Sequence, residues 1–218
     1  MPRKPPERSY DPDQTRRALL DAALDLFAER GFRTTSTQDV ADRAGVTKGA
    51  FYHHFETKDR ALHILHDQFL DKIVEQQRHA LRRYTSPIDQ LARMAFDVVM
   101  VCIDYQKHVR VFFREQHLLT GETRDAILAR RRDFTRLFQD TVRRGIAVGE
   151  FSAGQDADVA ALGVLGLCIW SYQWYHEDGA LRPGQVAAQF AAMALRGLGA
   201  TRPAEIDTSP DAAVPVPS

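Results

Sequence analysis

The chain has 218 residues, 44% hydrophobic and 27% charged, which suits a globular protein with one large core or a small unit beside a larger one and excludes disorder over its whole length. Its 29 basic and 29 acidic side chains cancel to a formal charge of zero, so a nucleic-acid partner has to be argued from local charge. Cys102 and Cys168 stand in apolar helical stretches and read as buried thiols of a reducing compartment, with redox sensing the less favoured reading.

Residues 1–12 read as a flexible arm carrying Arg3, Lys4 and Arg8. A helix is expected over 13–30, because Leu19, Ala22, Ala23, Leu26 and Phe27 share one face and Gly31 follows. Residues 31–62, GFRTTSTQDVADRAGVTKGAFYHHFETKDRAL, hold a helix-turn-helix with its caps. Ser36 and Asp39 have capping-box spacing for the start of its first helix. Gly45 falls where a helix ends in the left-handed conformation, and Thr47 is placed to cap the next helix. Ala41 and Ala44 are small where the two helices cross, while Val46, Phe51 and Phe55 form the apolar side of the second. That leaves Lys48, Gly49, Tyr52 and His53 facing outward, a short polar helix end of the kind that enters a major groove about 12 Å wide. Four cations (Arg43, Lys48, Lys58, Arg60) against two anions (Glu56, Asp59) give residues 43–60 a net charge of +2, so non-specific DNA affinity should be modest and salt-dependent.

A long helix from Lys58 to about Tyr84 leaves this unit. Further helices are expected from Pro87 to about Gln106, over 107–119, from Gly121 to about Gly149, from Asp156 to Tyr175 and from Pro183 to Leu198. Residues 200–218, with Pro203, Pro210, Pro215 and Pro217, read as a disordered tail. No strand or internal repeat stands out. The fold class is all-α, about nine helices: a DNA-binding domain over 13–57 and a larger helical domain over 58–199, which the family resemblance described below makes the ligand-binding and dimerisation domain.

Val159, Leu162, Gly163, Gly166, Leu167, Trp170 and Trp174 make one continuous helical stripe on which two glycines admit a close neighbour. Val186, Phe190, Met193, Ala194 and Leu198 give a second apolar face. Helix-turn-helix readers need two heads about 34–36 Å apart, so a four-helix contact between two subunits is one use of these faces and an intramolecular core the other. The middle of the chain is rich in Phe96, Met100, Ile103, Phe112, Phe113, Leu118, Leu119, Phe134, Leu137 and Phe138, most of which a helical body buries in any case.

Singly, Tyr52 is more often a half-buried core aromatic and Lys48 a solvated charge. The order of cap, small residue, turn glycine, second cap, aromatic and third cap (Thr57) is what points to a DNA reader. Through Gly31, Phe32, Thr35, Ser36, Val40, Ala41, Ala44, Gly45, Val46, Thr47, Gly49, Phe51, Tyr52, His54, Phe55, Lys58, Asp59 and Leu62 the chain resembles the TetR-like family of transcriptional repressors. It departs from that pattern at Thr37, where an aliphatic residue is more usual. The resemblance implies that Thr35, Thr47, Lys48, Gly49, Tyr52, His53 and Lys58, with Ser36 beside them, touch double-stranded operator DNA. It also implies that the last two helices make a homodimer through Leu162, Gly163, Gly166, Leu167, Phe190, Met193 and Ala194, and that the body encloses an inducer.

The closing segment, from Trp170 and Trp174 to GALRPGQVAAQFAAMALRGL, is similar to regulators of fatty-acid and sterol breakdown that answer to acyl-CoA thioesters. A small hydrophobic or acyl-CoA inducer is therefore expected against Phe96, Met100, Ile103, Phe112, Phe113, Phe134, Phe138, Trp170 and Trp174. Arg130 to Arg132, or Arg143 and Arg144, are candidates for CoA phosphates, against the commoner reading of a solvated charged face. His63 and His66 lie one turn apart but lack an obvious third metal ligand, and surface placement is the commoner reading. The phosphate loop, the H-E-x-x-H helix, the G-x-S-x-G elbow and the C-x-x-C pair are absent from the sequence, so no enzyme, cofactor or metal is expected. The longest apolar run, Val159 to Trp170, is too short for a membrane span of about 20 residues, and a cytoplasmic protein without a membrane partner is expected. The competing readings are a helical interaction module that selects no DNA sequence, and a regulator answering to a hydrophobic compound other than a CoA thioester.

Overall fold

The computed structural model describes residues 11–118, 121–154 and 156–208. Regular structure among them is helical: α1 (Pro12–Arg30), α2 (Thr37–Ala44), α3 (Lys48–Phe55), α4 (Lys58–Arg83), α5 (Pro87–Asp104), α6 (Gln106–Glu115), α7 (Gly121–Ala147), α8 (Ala157–Ile169), the single turn α9 (Ser171–Trp174) and α10 (Pro183–Gly197). The all-α expectation holds. The helix expected over 156–175 divides at Trp170, where bonding tightens: the Gln173 amide reaches back to Trp170 O and the Ser171 hydroxyl to Cys168 O, each three residues away. The expected helix over 107–119 ends at Glu115 and passes into a 3-10 turn over 116–118; Leu119, counted among the apolar groups of the body, lies outside the described residues.

Two compact units form, one from residues 11–65 and 111–118, the other from 66–110 and the described residues beyond 120. The first therefore reaches past the boundary expected at 57/58, because Ala61, Leu62 and Leu65 in the opening turns of α4 are buried. Its core is Leu19, Leu26, Phe27, Phe32, Val40, Phe51 and Phe55, each worth about 1.5–3 kcal/mol. Phe27 and Phe32 meet edge to face at 5.1 Å. The C-terminal end of α1 is held by α6: the Arg114 guanidinium donates to Phe27 O and, at 3.1 Å, to Ala28 O. A cation on the last carbonyls of a helix also meets its negative pole. The buried Glu115 carboxylate accepts from the Phe32 amide at 3.2 Å and from Arg114 Nε at 2.8 Å.

In the second unit α5 runs centrally, in contact with α7, α8, α9 and α10. Its sequence is apolar on most sides and almost every residue is buried. The polar ones are paired. Arg93 and Asp97 bond through Nε–Oδ2 at 3.1 Å and Nη2–Oδ1 at 2.8 Å, and Asp89 meets Arg202 at 2.7 Å. The Glu150 carboxylate accepts from the Ser86 hydroxyl and the Ile88 amide at the α5 N-terminus, where anion and helix dipole agree.

Residues 200–208, expected as part of a disordered tail, are instead a strap docked on this unit. Arg202 pairs with Asp89, the Glu205 amide donates to the same carboxylate at 2.8 Å, and Arg93 donates to Asp207 O at 2.7 Å. Composition suggested disorder, but these paired groups outweigh it locally; residues 209–218 lie outside the described part. Cys102 and Cys168 are free and buried. Burial pushes the Cys168 thiol up to about 12 and Cys102 in the same direction, which keeps both as unreactive thiols at neutral pH.

Candidate nucleic-acid interface

The helix-turn-helix is built from local bonds. In α2 the capping box is complete: the Asp39 amide donates to Ser36 Oγ at 3.1 Å, and the Ser36 amide donates to Asp39 Oδ2 at 2.8 Å. The Ser36 hydroxyl, followed by its amide, holds the Asp39 carboxyl below the usual carboxylate range. Gly45 turns the chain with φ 68° and ψ 31°, a conformation in which a side chain is strained. The Thr47 hydroxyl accepts from the Ala50 amide at 3.2 Å and opens α3.

On α3, Phe51 and Phe55 are buried while Thr47, Lys48, Gly49, Tyr52 and His53 are exposed. Tyr52 keeps 46% of its surface open, and its hydroxyl lies 3.2 Å from that of Thr37 at the start of α2. The polar residue at 37, a departure from the family pattern, thus ties the two helices through their outer ends. Lys48 Nζ sits 5.9 Å above the Tyr52 ring. A Cβ added at Gly49 would meet Thr47 Oγ1 at 3.7 Å, an ordinary contact, so the fold of the chain itself does not demand a glycine there. His54 is half-buried, and burial followed by the charge of His53 lowers its pKa, which favours the neutral ring.

This geometry engages two of the predicted DNA contacts within the unit itself. Thr35 is 1% exposed, and its hydroxyl donates to Gly31 O at 2.8 Å, so the side chain belongs to the unit's interior. Lys58 Nζ donates to Phe32 O and Thr35 O, each at 2.7 Å, and lies 4.3 Å over the Phe32 ring. It braces the turn before α2 and is spent there. Arg43 is likewise engaged, in a paired contact with Glu29 at 3.1 and 3.3 Å, so the cationic excess at the surface is smaller than the sequence count. Glu115 and Arg114 carry no signal in the sequence, because the groups they hold at the end of α1 lie 83 to 87 residues away along the chain.

The predicted ligand residues are divided between the two units and the surface. Phe96, Ile103, Phe134 and Phe138 are buried and Met100 half-buried in the second unit, with Phe134 and Phe138 edge to face at 5.5 Å. Phe112 and Phe113 fall in the first unit. Trp170 is 60% exposed and Trp174 is also open, its ring 5.9 Å from that of Phe190, so both tryptophans belong to a surface rather than to the interior. That surface is the predicted subunit face: Leu162, Gly163, Gly166 and Met193 are exposed, Leu167 and Phe190 half-buried. Ala194, assigned to the same face, is buried against the chain's own core; one residue of helix turns it about 100° from Met193.

Three of the candidate arginines are engaged within the chain: Arg130 pairs with Asp67 and Asp71, Arg143 with Asp140 and Asp158, and Arg144 with Gln90 at 2.7 Å. His66 is buried, not on the surface. Among the described residues there is no cluster of three metal-ligating side chains, and no helix is long and apolar enough to cross a membrane.

A capped recognition helix, joined by a glycine turn to a second helix and packed on a third, defines a helix-turn-helix DNA-binding protein. Residues 19–62 match the bacterial regulatory proteins of the tetR family, and residues 84–198 match the tetracyclin repressor-like C-terminal domain. The chain belongs to the TetR family and is a transcriptional repressor of that type, with an N-terminal DNA-binding part and a C-terminal ligand-binding part. It is 27% identical over 195 residues to the HTH-type transcriptional repressor KstR2 of Mycolicibacterium smegmatis, covering 88% of this chain and 95% of that one. Among solved structures, the ketosteroid transcriptional regulator KstR2 of Mycobacterium tuberculosis superposes with a TM-score of 0.78 at 28% identity, covering 84% and 94%. AibR in complex with isovaleryl coenzyme A and operator DNA gives 0.74 at 28% identity, covering 82% and 97%.

Proposed function

We propose that two copies of this chain hold an inverted-repeat operator through paired α3 helices and release it when a lipophilic acyl thioester enters the body. The observation that carries the DNA half is the division of α3, with Phe51 and Phe55 fixed inside while Thr47, Lys48, Gly49, Tyr52 and His53, beside Ser36, remain open. Hydroxyls, an amine and a bare backbone beside a helix N-terminus suit phosphate oxygens and groove edges. The exposed apolar face of Leu162, Gly163, Gly166, Trp170 and Met193 supports a homodimer, since an unpartnered patch of this kind marks an association surface.

The apolar interior around Phe96, Ile103, Phe134 and Phe138, together with the likeness to KstR2 and to AibR, supports the ligand class. Release requires that the ligand bind the DNA-incompetent arrangement more tightly than the competent one, because equal affinity shifts nothing. Reciprocally, operator-bound protein takes up the ligand more weakly. Selection from random duplexes should return a palindrome, and Tyr52→Ala should weaken its binding in a gel-shift titration without unfolding the protein. No palindrome, or unchanged affinity in the variant, rejects the assigned face; an operator complex indifferent to octanoyl-CoA rejects the ligand class.

A further inference from the structure

One hydrogen bond of the reading head joins a residue of the proposed DNA surface to a residue with no role in it so far. Thr37 opens α2 and Tyr52 lies in the second turn of α3; their hydroxyls stand 3.2 Å apart, and either can donate. Tyr52 is exposed and Thr37 half-buried. The Tyr52 ring is also engaged, with the Lys48 ammonium 5.9 Å from its centroid and Phe51 edge to face at 5.8 Å. Both the ring and the hydroxyl of this tyrosine are thus restrained within the head before any duplex arrives, which reduces the side-chain freedom lost on binding. Which hydroxyl donates is then decided by the partner. Each has one proton to give and lone pairs to accept with, whereas a DNA phosphate oxygen only accepts. Once Tyr52 gives its proton to a phosphate, its oxygen can only accept, and the Thr37 hydroxyl is the group placed to donate to it. An aliphatic side chain, more usual at position 37 in the family pattern, can pack there but has no proton to give.

We infer that Thr37 is a positioning residue for operator binding: it donates to Tyr52 Oη and so directs the tyrosine proton to a DNA phosphate, without touching the duplex itself. The order is Thr37 hydroxyl to Tyr52 hydroxyl to phosphate. Bonds in such a chain polarise one another, and the last one, to an anion, is of the charge-assisted kind. Tyrosine with this support therefore holds the phosphate more strongly than tyrosine alone. Phosphate contacts fix register and carry no base information directly, so Thr37 sets the strength of binding and leaves the choice of bases to other side chains. This rests on the reading of α3 as the DNA-contacting helix and deepens it.

The test is a double-mutant cycle on the full chain, read by fluorescence anisotropy with the palindromic duplex recovered by selection. Thr37→Val keeps the side-chain shape and removes the hydroxyl, and Tyr52→Phe keeps the ring and removes the proton. Tyr52→Phe should weaken the complex by roughly tenfold or more, and Thr37→Val by roughly threefold to tenfold. With phenylalanine already at 52, Thr37→Val should change affinity by less than about twofold, the two losses being non-additive. Thr37→Ser, which keeps a hydroxyl, should bind as the wild type does. The loss from Thr37→Val should be of the same size on a palindrome carrying one base change in each half-site. It should also leave the slope of log K against log salt unchanged, since no cation is removed. A loss from Thr37→Val that persists in the Tyr52→Phe background, or that depends on the bases, overturns the inference, because Thr37 then acts on DNA directly or through packing. Wild-type affinity in Thr37→Val beside a weakened Tyr52→Phe overturns it too, and leaves the DNA-contacting face intact. Wild-type affinity in Tyr52→Phe removes the tyrosine proton from the interface and the inference with it, and recovery of no palindrome refutes the reading of α3 itself. If Thr37→Val does not fold, Thr37→Ala takes its place in the cycle.

Discussion

Lys58→Met separates two roles that the motif alone cannot tell apart. In the structure the ammonium donates to two backbone carbonyls at 2.7 Å and covers the Phe32 ring at 4.3 Å. Charge-assisted bonds of this length are worth roughly 1.5–3 kcal/mol each, and the ring contact about 0.5–1 kcal/mol. Burial already lowers the Lys58 pKa, a sign that the ammonium has given up hydration, and this cost offsets part of the sum, so the net loss should fall below it, at about 2–3 kcal/mol. Urea unfolding of the wild type and the variant measures it. The same pair is then titrated with operator duplex over a range of salt concentrations. Removing a cation that neutralises one phosphate would reduce the slope of log K against log salt by about 0.9, whereas removing an internal brace leaves the slope alone. Expected, then, is a stability loss at constant slope. A variant with wild-type stability and a slope reduced by about one phosphate would refute the bracing role and return Lys58 to the interface.

Gly49→Ala fits the chain, with its new Cβ 3.7 Å from Thr47 Oγ1, and should stabilise α3 by about 0.5–1 kcal/mol. It should nevertheless weaken operator binding in a fluorescence-anisotropy titration, and unchanged affinity would remove Gly49 from the contact surface. Gly166→Leu meets open space within the chain, so the subunit should fold, but dimerisation should weaken by about 1–3 kcal/mol as read by sedimentation; a dimer of unaltered strength would place the seam elsewhere. Burial, with a smaller push from Lys107, lowers the His108 pKa to about 4. The unfolded chain therefore takes up its proton first, and stability is lost as pH falls from 6.5 toward 4. Relative to His108→Gln, the wild type should lose about 2 kcal/mol between about pH 7.5 and pH 5. Parallel stability curves for the two proteins would show that His108 titrates normally in the fold.

What was readable from sequence was what local chemistry decides. Ser36 with Asp39, Gly45, and Thr47 act on atoms within a few residues of themselves, so their spacing alone located both helices and the turn. Other residues are engaged by distant partners. Lys58 reaches carbonyls 23 and 26 residues back, and Arg202 reaches Asp89 across 113 residues, so a motif that records residue type at a position says nothing of whether the side chain is already engaged. Met193 and Ala194 differ by one step of the helix, and only the packing of α10 decides which of them faces outward. Trp170 and Trp174 satisfied both an interior and a surface reading, and aromatic content by itself does not choose between them.

The clamp of Arg114 and Glu115 on the end of α1 affects how the protein is made. The reading head is synthesised first, yet the carbonyls of Phe27 and Ala28 and the amide of Phe32 find these partners only when α6 has left the ribosome, 83 to 87 residues later. Until then a nascent chain carries a head without its last hydrogen bonds, and the segment 11–65 expressed alone should be less stable than the same residues in the whole protein. The reading head therefore gains its full stability with the middle of the polypeptide, not with its beginning.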